Sequence, residues 1–79
     1  MEKTQVYSKL ITVFREVFDE DELNLTPQTT AEDVDGWDSL SHIRLVLAVS
    51  KAFGVKFSAS EIGNLKNVGE FADLIEKKA

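Results

Sequence analysis

The sequence predicts an all-α fold: a small bundle of three longer helices plus one short helix, with a long loop between the first and second helices. Three observations carry this reading. Apolar residues recur at three- and four-residue intervals in separate stretches, which is the spacing of one helix face. Cap-and-glutamate pairs mark the later helix starts. The stretch after the first helix has no such period and is loaded with acids.

The first helix is expected over residues 3–18. Val6, Leu10, Val13, Phe14, Val17 and Phe18 share one face, and Lys3, Lys9, Arg15 and Glu16 take the other. Asp19 to Glu22 stop the pattern. A connection of about 19 residues follows, longer than most loops of small domains, and loops of that length are usually functional. Leu23, Leu25, Val34 and Trp37 are expected to tack it to the core. The second helix spans residues 39–53, capped by Asp38 and stopped by Gly54. Leu40, Ile43, Val46, Leu47, Val49 and Phe53 are expected to form its wide apolar face. Val55-Lys56-Phe57 reads as a short extended link. Ser58 stands three residues before Glu61, a capping box that predicts a short helix around 59–65 containing Ile62 and Leu65. Asn67 and Glu70 repeat that spacing and open a last helix over 68–77, with Val68, Phe71, Leu74 and Ile75 inward. Lys77 and Lys78 suit its C-terminal end, where the helix dipole favours cations.

Length and composition narrow the function. A chain of 79 residues is expected to be a single domain, residues 1–79, and its 43% hydrophobic content suffices for a small core. It has no cysteine, so neither a disulfide nor a cysteine-metal site staples it, which fits the cytoplasm. No segment reads as a signal peptide or a membrane span. The net charge of −5 argues against nucleic acid as a partner. Residues 16–38 hold nine acids and no Lys or Arg. Residues 39–59 hold no acid but include Arg44, Lys51 and Lys56. An acidic run is either a solvated loop or a patch that attracts basic surfaces.

Gly36-Trp37-Asp38-Ser39-Leu40 places one serine after that acidic loop, at the start of a helix. A serine hydroxyl is a weak nucleophile without a base. A phosphate on its oxygen, however, would lie near free backbone N–H groups and the positive end of the helix dipole. Asp38 beside it could help bind a metal ion delivered with a phosphoryl donor. On local features alone, Ser39 reads more readily as simply the first helical residue behind an Asp cap, because a bare Asp-Ser-Leu occurs often by chance.

Over nearly its whole length the chain resembles the acyl carrier protein family. The resemblance rests on size, acidity, the long first loop, and Asp38-Ser39-Leu40 followed by Ile43, Leu45, Val46 and Leu47. It implies an acyl-carrier-like bundle that is not itself an enzyme. It implies that Ser39 carries 4′-phosphopantetheine, moved from coenzyme A by a phosphopantetheinyl transferase with Mg2+, which Asp38 helps position. No resident metal is implied. Leu40 and Ile43 match positions used in partner docking or in lining an acyl pocket. Acyl-loading, synthase or acyltransferase enzymes are the implied partners of a monomeric carrier. Phe14, Val46, Leu47, Phe53, Ile62, Phe71 and Leu74 are candidate walls for a cargo, or ordinary core.

One departure stands out. The fatty-acid-synthesis type has several acids along the second helix, whereas this chain has Ser41, Arg44, Ser50 and Lys51 there. The Gly-Trp-Asp-Ser-Leu-Ser-His opening looks more like discrete carriers of specialised or lipid-modifying pathways. The cargo is left open among acyl, hydroxyacyl, aminoacyl or peptidyl, and aryl groups. Other classes fit less well. A serine hydrolase would need Ser39 and His42, the sole histidine, in a sheltered cleft with an oxyanion hole. EF-hand spacing fails from Asp19 and from Asp33. An unmodified protein-interaction bundle remains a third class. His42 is expected at the surface beside Ser39, in contact with partners.

Overall fold

The computed structural model describes residues 2–79. The element order is α1 (Lys3–Phe18), a 3-10 turn (Ala31–Asp33), α2 (Ser39–Phe53), α3 (Ala59–Gly63) and α4 (Val68–Lys78). No strand occurs among the described residues. No helix there is long and apolar enough to cross a membrane.

α1 packs against both α2 and α4. Its predicted face holds: Val6, Leu10, Val13 and Phe14 are buried, with Val17 and Phe18 half-buried at its end. Asp19 ends the helix in the left-handed conformation, φ 53°, and its N–H donates to Arg15 O. On α4, Val68, Phe71, Ala72 and Ile75 face the core and Leu74 is half-buried. The buried side chains of α1 and α4, with Leu45, Val46 and Val49 of α2 and Leu25 of the loop, form one apolar cluster, and Leu74 is not part of it.

The predicted face of α2 needs correction. Leu40, Ile43 and Leu47 point outward, at 61%, 58% and 59% exposure. Leu45 is fully buried in their place, beside Val46 and Val49. The helix has apolar side chains around more of its circumference than the core can cover, so periodicity alone does not say which arc turns inward. Gly54 stops α2 at φ 66°, and Ser50 Oγ donates to Val55 O across that stop.

α3 ends at Gly63, short of the expected residue 65, and Leu65 lies half-buried beyond it. The Ser58–Glu61 capping box forms in both directions. Asn67 Oδ1 accepts from Glu70 N–H at 2.9 Å to open α4. An exposed ion pair, Lys3–Asp73, and a half-buried one, Lys78–Glu61, tie α1 and α3 to α4.

The long loop is held in place by specific contacts. Leu25 and Val34 are buried, and Leu23 and Trp37 are half-buried. Arg15 Nε donates to Leu23 O at 2.8 Å. The first amides of α4 reach into the loop: Val68 N–H donates to Thr29 O at 2.8 Å, and Gly69 N–H to Pro27 O at 3.0 Å. The 3-10 turn was not expected. Its signal is Thr30 with Asp33 three residues on, and Asp33 Oδ2 accepts from Thr30 N–H.

Candidate functional site

Ser39 is the first residue of α2 and is exposed. The sequence builds this position from three neighbours. Gly36 takes φ 83°, a turn that favours glycine. Trp37 then anchors the chain against α1, edge-on to Phe14 with ring centroids 5.2 Å apart and an 83° interplanar angle, and 6.1 Å from Phe18. Asp38 caps the helix: its Oδ1 accepts from Ser41 N–H at 2.9 Å. That backbone N–H bond is the main cause that holds the Asp38 carboxyl below its ordinary range. The carboxylate is therefore ionised at neutral pH beside the serine hydroxyl.

The first hydrogen bond closing α2 runs from His42 N–H to Asp38 O. The Ser39 and Leu40 amides precede that ladder at the positive end of the helix dipole. Anything negative attached to Ser39 Oγ would meet this field.

A cleft of about 460 Å³ opens beside Ser39. The start of α2 forms one wall through Ser39 and His42, with Trp37 and Asp38. Ile62, Leu65 and Phe71 supply apolar surface opposite, and Lys66 adds a cation. Of the candidate cargo walls, Ile62 and Phe71 line it. Phe14 and Val46 are core, and Leu47 is exposed on the outer face of α2. Leu40 and Ile43 do not line the cleft either. Their exposure suits docking and not pocket lining, the two roles that the sequence left open.

His42 departs from expectation. It is half-buried, and Trp37 Nε1–H donates to its Nδ1 at 3.1 Å. The two ring planes lie within 23° of each other, with centroids 6.0 Å apart. The sequence places His42 one turn after Ser39, but nothing in it shows the bond to Trp37. No hydrogen bond between Ser39 and His42 is present among the described residues to set up a hydrolase pair, and Nδ1 of the histidine is already engaged.

Asp38 is the acid adjacent to Ser39, and the described residues contain no group of three metal-binding side chains. A second concavity, about 440 Å³, lies over the acidic loop, lined by Glu20, Glu22, Asp33 and Asp35 among others. Its lining is away from Ser39.

Comparison with known proteins agrees with this geometry. The family model described as "Phosphopantetheine attachment site" matches residues 8–75. The acyl carrier protein of Thermotoga maritima is 30% identical over 96% of this chain and 94% of its own length. That of Acidothermus cellulolyticus is 31% identical over 95% of this chain and 89% of its own. Among solved structures, the solution structure of a holo acyl carrier protein from Geobacter metallireducens superposes with a TM-score of 0.87 and 45% identity, covering 92% of this chain and 84% of that one. Members of this family are carriers and not enzymes, and they hold 4′-phosphopantetheine covalently. A helical bundle with an exposed serine at a helix start, and a match that spans the whole helical core, place the chain in the acyl carrier protein family.

Proposed function

We propose that Ser39 is the residue that carries 4′-phosphopantetheine, and that residues 1–79 act as one monomeric carrier domain in the cytoplasm. The observation that carries this reading is the exposed Ser39 at the start of α2, beside the ionised Asp38 in the wall of a partly apolar cleft. The arm's terminal thiol, when bound, supplies thioester chemistry for acyl transfer. The chain's own residues present and orient it. Asp38 fixes the helix start and offers its carboxylate to Mg2+ while the transferase acts, and the first turn of α2 favours the negative phosphate. The cleft gives the root of the arm and its cargo a partly apolar surface. A flexible covalent arm keeps the cargo at high effective concentration for each enzyme in turn.

Incubation with coenzyme A, Mg2+ and a broad-specificity phosphopantetheinyl transferase tests this by intact mass. The wild type is expected to gain one phosphopantetheine. Ser39→Ala is expected to gain none while keeping its helical spectrum, because the side chain is small and exposed. Labelling of Ser39→Ala to the wild-type level refutes the assignment.

The pathway reading is that of a specialised or lipid-modifying carrier weakly coupled to housekeeping fatty-acid enzymes. Its support is the outer face of α2. Leu40, Ile43 and Leu47 form an exposed apolar strip, Arg44 and Lys51 are exposed on the same helix, and no acid occurs from residue 39 to 59. A partner with Lys or Arg around its docking site meets like charge there, which slows encounter. Arg44→Glu with Lys51→Glu is expected to speed charging or elongation by fatty-acid enzymes, more so at low salt. The reading fails if the wild type already equals a housekeeping carrier and the double variant changes nothing.

A further inference from the structure

We propose that His42 holds the phosphodiester at the root of the arm by donating from Nε2–H, and that Trp37 is the positioning residue that fixes this tautomer. The proposal rests on Ser39 being the attachment site.

The argument starts from the indole. A Trp side chain can only donate, so the 3.1 Å contact makes His42 Nδ1 the acceptor. The proton of the neutral imidazole then sits on Nε2. Trp37 is itself held against Phe14 and Phe18 of α1, and its ring plane lies within 23° of that of the histidine. His42 is therefore an oriented ring, not a free surface side chain. No protein acceptor takes its Nε2–H among the described residues. No buried side-chain nitrogen lacks a partner there, so Nε2 is open to solvent space.

Ser39 and His42 are three residues apart on one helix, which brings their Cβ atoms to about 5–6 Å. Both line the same cleft. A phosphate on Ser39 Oγ comes within reach of a donor at that distance. The charges around the serine give the contact a direction. The ionised Asp38 carboxylate, which lines the same cleft, repels a phosphodiester. His42 and, between α3 and α4, Lys66 and Asn67 bring side-chain donors to the cleft lining, and Lys66 is the cation among the lining residues. On the α1 side, Trp37 lies between His42 and the rings of Phe14 and Phe18. Within the cleft, the root of the arm is thus drawn from Asp38 toward His42 and Lys66.

The test uses holo protein shown by intact mass to carry one phosphopantetheine. A wild type that gains no mass at Ser39 refutes the attachment reading and is recognised at that step. At a pH where the imidazole is neutral, nitrogen NMR of His42 is expected to show a protonated Nε2 and an unprotonated Nδ1. Phosphorus NMR is expected to show a proton–phosphorus contact between the His42 ring and the arm. His42→Leu is expected to lose that contact, to move the phosphorus resonance and to leave the arm root more mobile. His42→Gln, whose amide also donates, is expected to restore the wild-type resonance in part. Trp37→Phe keeps an aromatic ring without the N–H, and is expected to mix the two tautomers and weaken the effect. The proposal is overturned if folded His42→Leu and wild type share one phosphorus resonance and one arm mobility. It is equally overturned if Lys66→Met alone removes the effect, or if the proton is found on Nδ1.

Discussion

Replacing Gly69 with alanine puts a β-carbon 2.8 Å from the Pro27 carbonyl oxygen, 3.2 Å from Pro27 Cβ and 3.3 Å from Asn67 Oδ1. The first of these is too short for any real contact, and its partner is backbone that cannot swing aside. Helix propensity alone favours alanine by about 1 kcal/mol. Against it stands crowding of a packed site, about 1–3 kcal/mol. The two bonds that clamp the loop to α4, Val68 N–H to Thr29 O and Gly69 N–H to Pro27 O, are stretched as the backbones part. Each contributes about 0.5–1.5 kcal/mol net. The balance is a loss of about 1–3 kcal/mol. At roughly 4–8 °C per kcal/mol for a domain of this size, Tm falls by about 5–20 °C. Gly63→Ala is the control. It lies in α3 with nothing within 4 Å of the added carbon, so it is expected to be neutral or to stabilise by up to about 1 kcal/mol. Circular dichroism melts read both variants, and hydrogen exchange at the Val68 and Gly69 amides reads the clamp directly. If Gly69→Ala melts at or above wild type, the loop is not pinned where these contacts put it.

Two further outcomes follow from the same structure. Leu45→Ala is expected to cost about 2–5 kcal/mol in denaturant unfolding because Leu45 is fully buried, whereas Leu47→Ala stays within about 0.5 kcal/mol and instead weakens partner binding. Equal stability losses would contradict the placement of the two faces of α2. Asp38 has its carboxyl lowered below 3.8 by the Ser41 N–H, so its contribution to stability is present above that value and is lost as pH falls through the folded-state pKa. Asp38→Asn keeps a cap acceptor without the titration, so its stability should fall less than that of the wild type between mild and strong acid. An unchanged acid limb would assign the loss to other carboxylates.

Much of this molecule is written locally. The caps at Asp38, Ser58 and Asn67, the stops at Asp19 and Gly54, and the apolar spacing of α1 and α4 are decided by residues within a turn of each other. The position of Ser39 at a helix start is local too, so the proposed attachment position is legible before any fold is known. The tertiary structure decided what depends on distant partners. α2 is apolar around most of its girth, and only packing on α1 turns Leu45 inward and leaves Leu40, Ile43 and Leu47 outside. The loop's course depends on bonds from Pro27 and Thr29 to the amides of α4, some forty residues on in the chain. The role of His42 is of the same kind. Helical spacing places it near Ser39, but its tautomer is set by Trp37, and Trp37 is fixed by Phe14 and Phe18 of another helix. Short-range hydrogen bonds and periodicity are carried by neighbouring residues, whereas the choice of buried face and the orientation of a ring exist only once separate segments share one core.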